Sequence, residues 1–458
     1  MPHPPLIIPA VGRGKERGIQ KTVDACDEVG RRIAALAPQT IVVSSPHATM
    51  YRDYFQISPG RGARGSFARF GAPQASYDAA YDVELVDAVC KLCERRGISA
   101  GVDYERDATL DHGTMIALHF IQKYYHDFKI VRMGLSGMSV SEHYKLGRAV
   151  QVAASTLNRR VVWLASGDLS HKLKEDGPYG FVPEGPQFDK RLTSDFASGD
   201  LVGVLAIDPS LSERAAECGL RSFFMMIGAL DRTKVKSELL SYEGPFGVGY
   251  GVAAFDPVGD DGADADCDRL TQYAELHERK MRERKESEDA YVRLARASLE
   301  AYVRDGKRIG IPNGLPSELM NTRAGCFVSL KKDGNLRGCI GTIMPTRASL
   351  AEEICANAIS AATRDPRFSA VQKDELDELV YDVDVLTEPE PISSVEELDV
   401  ARYGVIVSTR DGRRGLLLPD LDGVDSVEEQ VRIAAQKGRI DLDFDDYALE
   451  RFEVVRHL

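Results

Sequence analysis

The sequence predicts an α/β protein, with an open and mostly parallel sheet in its first half and a smaller α+β domain in its second. Two observations predict the first half. Short β-branched runs such as Ile41-Val42-Val43 and Val161-Val162 alternate with segments whose apolar residues recur at helical spacing, the order that builds parallel sheets with crossover helices. Each run then breaks into a Ser- or Gly-containing turn that delivers a histidine, His47 or His171. Open α/β sheets place their chemistry at such strand ends. A third observation sets the second half apart: from 325 onward, strand-like runs flank an Asp-Gly turn and surround one long helix. A chain of 458 residues also exceeds what one ordinary core serves, so about two domains are expected.

Taken in order, residues 1–10 carry four prolines and cannot pair regularly in a ladder, so they read as an edge or irregular approach to the sheet, with His3 inside it. Residues 19–36 read as a first helix and 40–44 as the strand leading to His47. The Gly-, Arg- and Ser-rich stretch 58–70 reads as a surface loop. A second helix covers 81–96 and is closed by Gly97. Leu110-Asp111-His112-Gly113 then opens an apolar helix over 114–121; His112 stands near free backbone donors, and Asp111 is placed to anchor its other ring nitrogen. His119 and His126 read as packing or surface residues. A strand over 128–134, a helix over 141–157 with a capping or solvated His143, and the strand 160–166 follow. Beyond that strand, Gly167-Asp168-Leu169-Ser170-His171 permits close backbone approach and puts Asp168 where it can fix a neighbour. Residues 237–242 read as a strand and 248–255 as a return into the sheet. Between them Glu243 reads either as a solvated turn acid or as a carboxylate facing a cleft. Two histidines and one carboxylate around ferrous iron would leave coordination sites for oxygen and substrate.

The formal net charge of −13 argues against a nucleic-acid surface. No run approaches the roughly 20 apolar residues that span a bilayer, and the N-terminus lacks a signal pattern; a cytoplasmic location is expected. Eight scattered cysteines read as reduced thiols. Cys90 and Cys93 fall on a helical pattern and read as thiols near one buried face, and Cys218, in Glu-Cys-Gly-Leu, reads as helix-end packing.

PHPP at 2–5, SSPH at 44–47, LDHG at 110–113, SGDLSH at 166–171 and YEGPFGVGYG at 242–251 together resemble the class III extradiol ring-cleavage dioxygenases. This LigB-like family contains the protocatechuate 4,5-dioxygenase catalytic subunit and is related to the Memo proteins. The resemblance implies an α/β/α sandwich around a mixed or mostly parallel sheet, and a nonhaem Fe(II) cofactor bound by His3, His47 and Glu243. It also implies His171 as the acid/base histidine, His112 as a residue touching substrate or oxygen, and opening of a catechol-like ring by O2. His3 has only two residues before it, whereas the family histidine ordinarily follows an N-terminal strand. Memo proteins keep the histidines but commonly have cysteine where the acid stands, so Glu243 points towards iron and oxygen chemistry. The alternative is a Memo-like metal-binding or non-catalytic scaffold protein.

Residues 260–266 are acidic and rich in Gly and Ala, and read as a linker. A long helix over 270–304, highly charged in its middle, follows. LRGCIG at 336–341, NAISAATRDPRF at 357–368 and RGLLLPD at 414–420 resemble the AMMECR1 family, which implies a small α+β domain without assigning an activity. The expected division is 1–259, dioxygenase-like; 260–287, linker and charged helix; and 288–458, AMMECR1-like. Cys339 reads as a buried structural thiol or as a nucleophile whose thiolate Arg337 favours; Arg337, Arg364 and Arg367 form an anion groove or ordinary surface salt links. The expected partners are a small aromatic substrate and O2, with a protein partner for the C-terminal domain and a homo-oligomer as further alternatives.

Overall fold

The computed structural model describes residues 1–104, 109–258, 268–332, 334–421, 423–424 and 426–458. The chain divides into two compact units, Met1–Glu278 and Arg279–Leu458. The expected linker over 260–266 and Asp333 of the expected Asp-Gly turn lie outside the described residues.

The first unit begins with α1 (Pro9–Gly12), α2 (Gln20–Leu36), β1 (Thr40–Ser45), β2 (Phe55–Gln56), β3 (Gly62–Phe67), β4 (Ala72–Ala80) and α3 (Val83–Arg96). It continues through β5 (Ala100–Gly101), α4 (His112–Gln122), β6 (Lys129–Gly134), α5 (Val140–Thr156) and β7 (Val161–Ala165). Strand β1 is central in the order β6-β1-β7, and both pairings are parallel, with Thr40 opposite Lys129 and Val161. All six residues of β1 are buried, as a parallel strand covered on both faces requires. Because successive side chains alternate faces, Ile41 and Val43 join a core with Ile33 of α2 and Ile116 and Phe120 of α4. Val42 joins the opposite core with Val89 of α3 and Leu146 and Val150 of α5. This is the expected α/β/α arrangement.

The stretch 172–230, given no elements above, contains α6 (Glu184–Ser198), α7 (Leu201–Leu205), α8 (Pro209–Ala215) and α9 (Leu220–Ala229). Helix α9 crosses α5 closely because Gly147 and Gly228 leave no side chain between the backbones: a Cβ on either would collide with the carbonyl of Met225 or Tyr144. Strands β8 (Val235–Glu243) and β9 (Tyr250–Pro257) form their own antiparallel ribbon rather than a return into the parallel sheet. The expected loop 58–70 instead supplies β3 of an antiparallel hairpin with β4; buried Phe67 and Ala72 hold its turn against the core, which outweighs the polar composition. His143 is buried rather than solvated. One ring nitrogen meets the Ser139 carbonyl at 2.9 Å, and the other accepts from the Ser136 N–H.

The expected long helix is two, α10 (Arg269–Ser287) and α11 (Ala290–Asp305), because Asp289 adopts extended backbone and caps α11 through the N–H groups of Tyr291 and Val292. Next come α12 (Ser317–Asn321), β10 (Cys326–Lys332), β11 (Asn335–Thr342), α13 (Leu350–Thr363), β12 (Val380–Leu386), β13 (Glu390–Ile392) and β14 (Gly404–Thr409). The unit closes with β15 (Arg414–Leu417), α14 (Val427–Lys437), β16 (Tyr447–Phe452) and β17 (Val454–His457). Two antiparallel sheets, β11-β10-β12-β17 and β13-β16-β14-β15, make it the expected smaller α+β domain. Among the described residues no helix is long and apolar enough to cross a membrane.

Replacing Gly228 by Ala should force α5 and α9 apart and lower stability by about 1–3 kcal/mol, read from urea unfolding of the first unit. Burial pushes His143 down to about 4, opposed by its bond to Ser139. The unfolded chain therefore binds the extra proton between about pH 6.5 and 4, and stability from this residue is full above that window and lost on acidification through it. His143→Gln should remove about 3 kcal/mol from the difference in unfolding free energy between pH 7 and pH 4.

Candidate metal centre

The site lies at the carboxyl ends of β1 and β7, where parallel neighbours bring separate loops together. His47 follows β1 by two residues, and its N–H donates to Ser45 Oγ at 3.2 Å. Ser45 Oγ in turn donates to Asp111 at 2.6 Å, and Asp111 caps α4 by accepting from the N–H and hydroxyl of Thr114. Asp111 thus fixes the start of α4, whose first residue is His112. Its bonds go to Ser45 and Thr114, not to the His112 ring. His3 reaches the same place from the N-terminal segment: its N–H donates to Asp168 at 2.7 Å and its Nδ1 meets Ser166 Oγ at 3.0 Å. Both partners belong to the segment after β7.

These anchors bring one ring nitrogen each of His3, His47 and His112 within 4.8 Å of one another. The Nε2 atoms of His3 and His47 are 2.9 Å apart, and the rings of His47 and His112 have centroids 3.9 Å apart. Burial lowers the affinity of all three for protons. For His3, at 2% exposure, the neighbouring imidazoles add to that effect; His112 is pushed to about 4 by burial and by facing His47. Neutral imidazoles keep lone pairs free for a metal, and the Ser166 contact at Nδ1 of His3 leaves Nε2 turned towards the cluster. Two nitrogens bonded to one metal at about 2.1 Å stand roughly 3 Å apart, so the His3–His47 spacing fits a shared divalent cation.

His171 lies at the edge of the group, its proton affinity lowered first by burial and then by His47. Its loop is stitched to the turn after β8: Leu169 N–H donates to the Gly249 carbonyl, and Gly249 N–H to that of Ser170, each at 2.8 Å. A Cβ at Gly249 would collide with Asp189, the buried carboxylate that accepts from Ser170 N–H and Tyr242 O–H. The glycines of YEGPFGVGYG therefore serve backbone contact with the His171 loop. Glu243 is not in the three-histidine group; its Oε2 accepts from the N–H and hydroxyl of Thr22 at 2.8 and 2.7 Å, tying α2 to β8.

Cys218, read above as helix-end packing, has its Sγ 3.5 Å from Nε2 of His3, and accepts from the Asp168 N–H at 3.3 Å. Burial, with Asp168 and Glu217 adding to it, holds this thiol well above its usual proton affinity. Spacing offered no sign of this, since 215 residues separate Cys218 from His3; the one available signal was the cysteine that Memo proteins carry in place of the acid. In the second unit, Arg337 pairs with Glu375 and Arg367 with Asp365. Cys339 accepts from Ser329 Oγ at 3.2 Å, and burial raises its proton affinity.

Residues 1–253 match the family described as the catalytic LigB subunit of aromatic ring-opening dioxygenase, and residues 292–457 match AMMECR1. A protein of Clostridium acetobutylicum is 43% identical over 465 aligned residues, covering 100% of this chain and 98% of that one. A protein of Thermotoga maritima is 54% identical over 171 residues, covering 37% of this chain and 98% of its own length. The crystal structure of an uncharacterized protein from Pyrococcus horikoshii is 35% identical, covering 36% of this chain and 88% of that one with a TM-score of 0.34. With its imidazole cluster inside the matched region and a full-length relative beside it, this chain belongs to the family of the catalytic LigB subunit, joined here to an AMMECR1-family domain.

Proposed function

We propose that the first unit is an Fe(II)-dependent extradiol dioxygenase that opens a catechol-like ring with O2. The observation that carries this reading is the desolvated imidazole cluster of His3, His47 and His112, neutral and spaced for one divalent cation. The family match supports the ring-opening chemistry. Bound Fe(II) would supply electron transfer between diol and oxygen. The chain's own residues do the rest. Ser166 and Asp168 hold His3, Ser45 holds His47, and the Asp111 cap holds His112. His171, unprotonated near neutrality, accepts a proton from a substrate hydroxyl and returns it as products form. His112 completes the ligand set or donates towards the diol oxygens.

One specific observation favours a second reading, a Memo-like metal protein without oxygenase turnover: the Cys218 thiol beside His3. The two readings separate on one preparation, the full chain loaded anaerobically with Fe(II) and then given O2 and a panel of catechols. The dioxygenase reading expects about one iron per chain and oxygen uptake, with iron affinity falling more than about 10-fold in His47→Ala. The Memo-like reading expects metal retention without uptake, and a loss of metal in Cys218→Ser.

A role for Glu243 as metal ligand falls to its Oε1, since Oε2 is taken up by Thr22. In that case Glu243→Gln should lower iron affinity as far as His47→Ala does. A carboxylate that only ties α2 to β8 should leave iron content unchanged in the same metal analysis.

A further inference from the structure

Two large aromatic side chains stand exposed beside the imidazole cluster, on elements far apart in sequence. Phe70, 38% exposed, closes the short helical turn 68–70 at the tip of the β3–β4 hairpin. Its ring meets His112 edge-on, with centroids 5.4 Å apart and planes at 68°. Tyr179, 58% exposed, lies nearly parallel to the His171 ring, at 5.2 Å and 25°.

Neither ring is placed casually. The Phe70 turn ends on Gly71 at φ 76°, a conformation that glycine adopts without strain, and Phe70 leans on buried Phe67 at 5.9 Å. The segment holding Tyr179 is pinned to the turn after β8. Leu173 N–H donates to the Gly247 carbonyl at 3.1 Å, and Lys174 Nζ to the Pro245 carbonyl at 3.1 Å. Leu173 also bridges to Phe181, on the far side of Tyr179. A Cβ at Gly177 would stand 3.1 Å from the Gly247 Cα, so these backbones approach closely where both residues are glycine. Aromatic rings held by such scaffolding, and still partly exposed beside a candidate metal centre, are suited to a planar partner.

We infer that Phe70 and Tyr179 are specificity residues that select a planar aromatic diol over a saturated one, Tyr179 with its face and Phe70 with its edge. This rests on the reading of the cluster as a metal centre that binds a diol. An aliphatic ring of the same size offers no π-face and gains less from either contact. Their ring contacts are with His112 and His171, not with the closely spaced His3 and His47, and the inference expects metal binding to survive the loss of either ring.

The test is calorimetric titration of the full chain loaded with redox-inert Zn(II), using catechol and trans-cyclohexane-1,2-diol as probes. The wild type, Tyr179→Ala, Tyr179→Phe and Phe70→Ala are compared, with zinc content measured in each. The expected result is catechol affinity about 5-fold weaker in Tyr179→Ala and in Phe70→Ala, and within about 2-fold of wild type in Tyr179→Phe. The saturated diol should weaken by less than about 2-fold throughout. Equal weakening of both probes, unchanged catechol affinity in both alanine variants, no catechol binding by the zinc-loaded wild type, or loss of zinc from the alanine variants would each overturn the inference. Oxygen uptake by the Fe(II) form reports on the proposed reaction alone: selective binding without uptake leaves these residues as specificity determinants and removes the dioxygenase reading.

Discussion

Three imidazoles share one small space most readily while none of them carries a second ring proton, and that requirement organises the first unit. Two protonated rings would face each other as like charges in a poorly solvated pocket, where Coulomb repulsion is several times stronger than in water. The protein meets it by burial: His3 is nearly inaccessible, and all three rings are shifted towards the neutral form. The same burial keeps one ring nitrogen of each within 4.8 Å of the others. Neutrality and ligand capacity are one property seen from two sides.

Holding these rings requires a layer of small polar groups, and the fold supplies it from strand ends and a helix cap. Ser45, Ser166, Asp168 and Asp111 sit where β1 and β7 run out and α4 begins. A parallel sheet brings such positions together however far apart they lie in the chain. Glycine takes a different part in the layer behind. Gly249 and Gly247 let the turn after β8 lie directly on the segments carrying His171 and Tyr179, so a ribbon outside the parallel sheet becomes a wall of the site. Asp189 completes that wall by accepting from Ser170 and Tyr242 at once.

In the second unit the buried ion pairs and caps are structural. Arg296 is held by Glu288 and lies over the Tyr381 ring, while Glu353 accepts from Thr342, Thr346 and Arg347 in the turn before α13. Two of the three arginines singled out in its motifs also close on acids, Arg337 on Glu375 and Arg367 on Asp365. Those pairs lock the strand carrying Cys339 to the segment after α13, through the bond from Cys339 N–H to Asp365.

What the sequence by itself determined was local. The period of the apolar residues placed α2, α3, α5 and the three parallel strands to within a residue or two, because amphipathic spacing and β-branched runs act over short range. Strand ends carrying His47 and His171, and the helix start carrying His112, were legible for the same reason. Tertiary structure decided the rest. The hairpin at 62–80 depends on the burial of Phe67 and Ala72, which outweighs its polar composition. His143 became a core residue because α5 turns it towards Phe55. The Glu243 carboxylate settled on Thr22, and the Cys218 thiol on His3, across more than 200 residues of chain each. Which side chain meets which across such distances depends on how helices and ribbons pack, and no local pattern of residues encodes that contact.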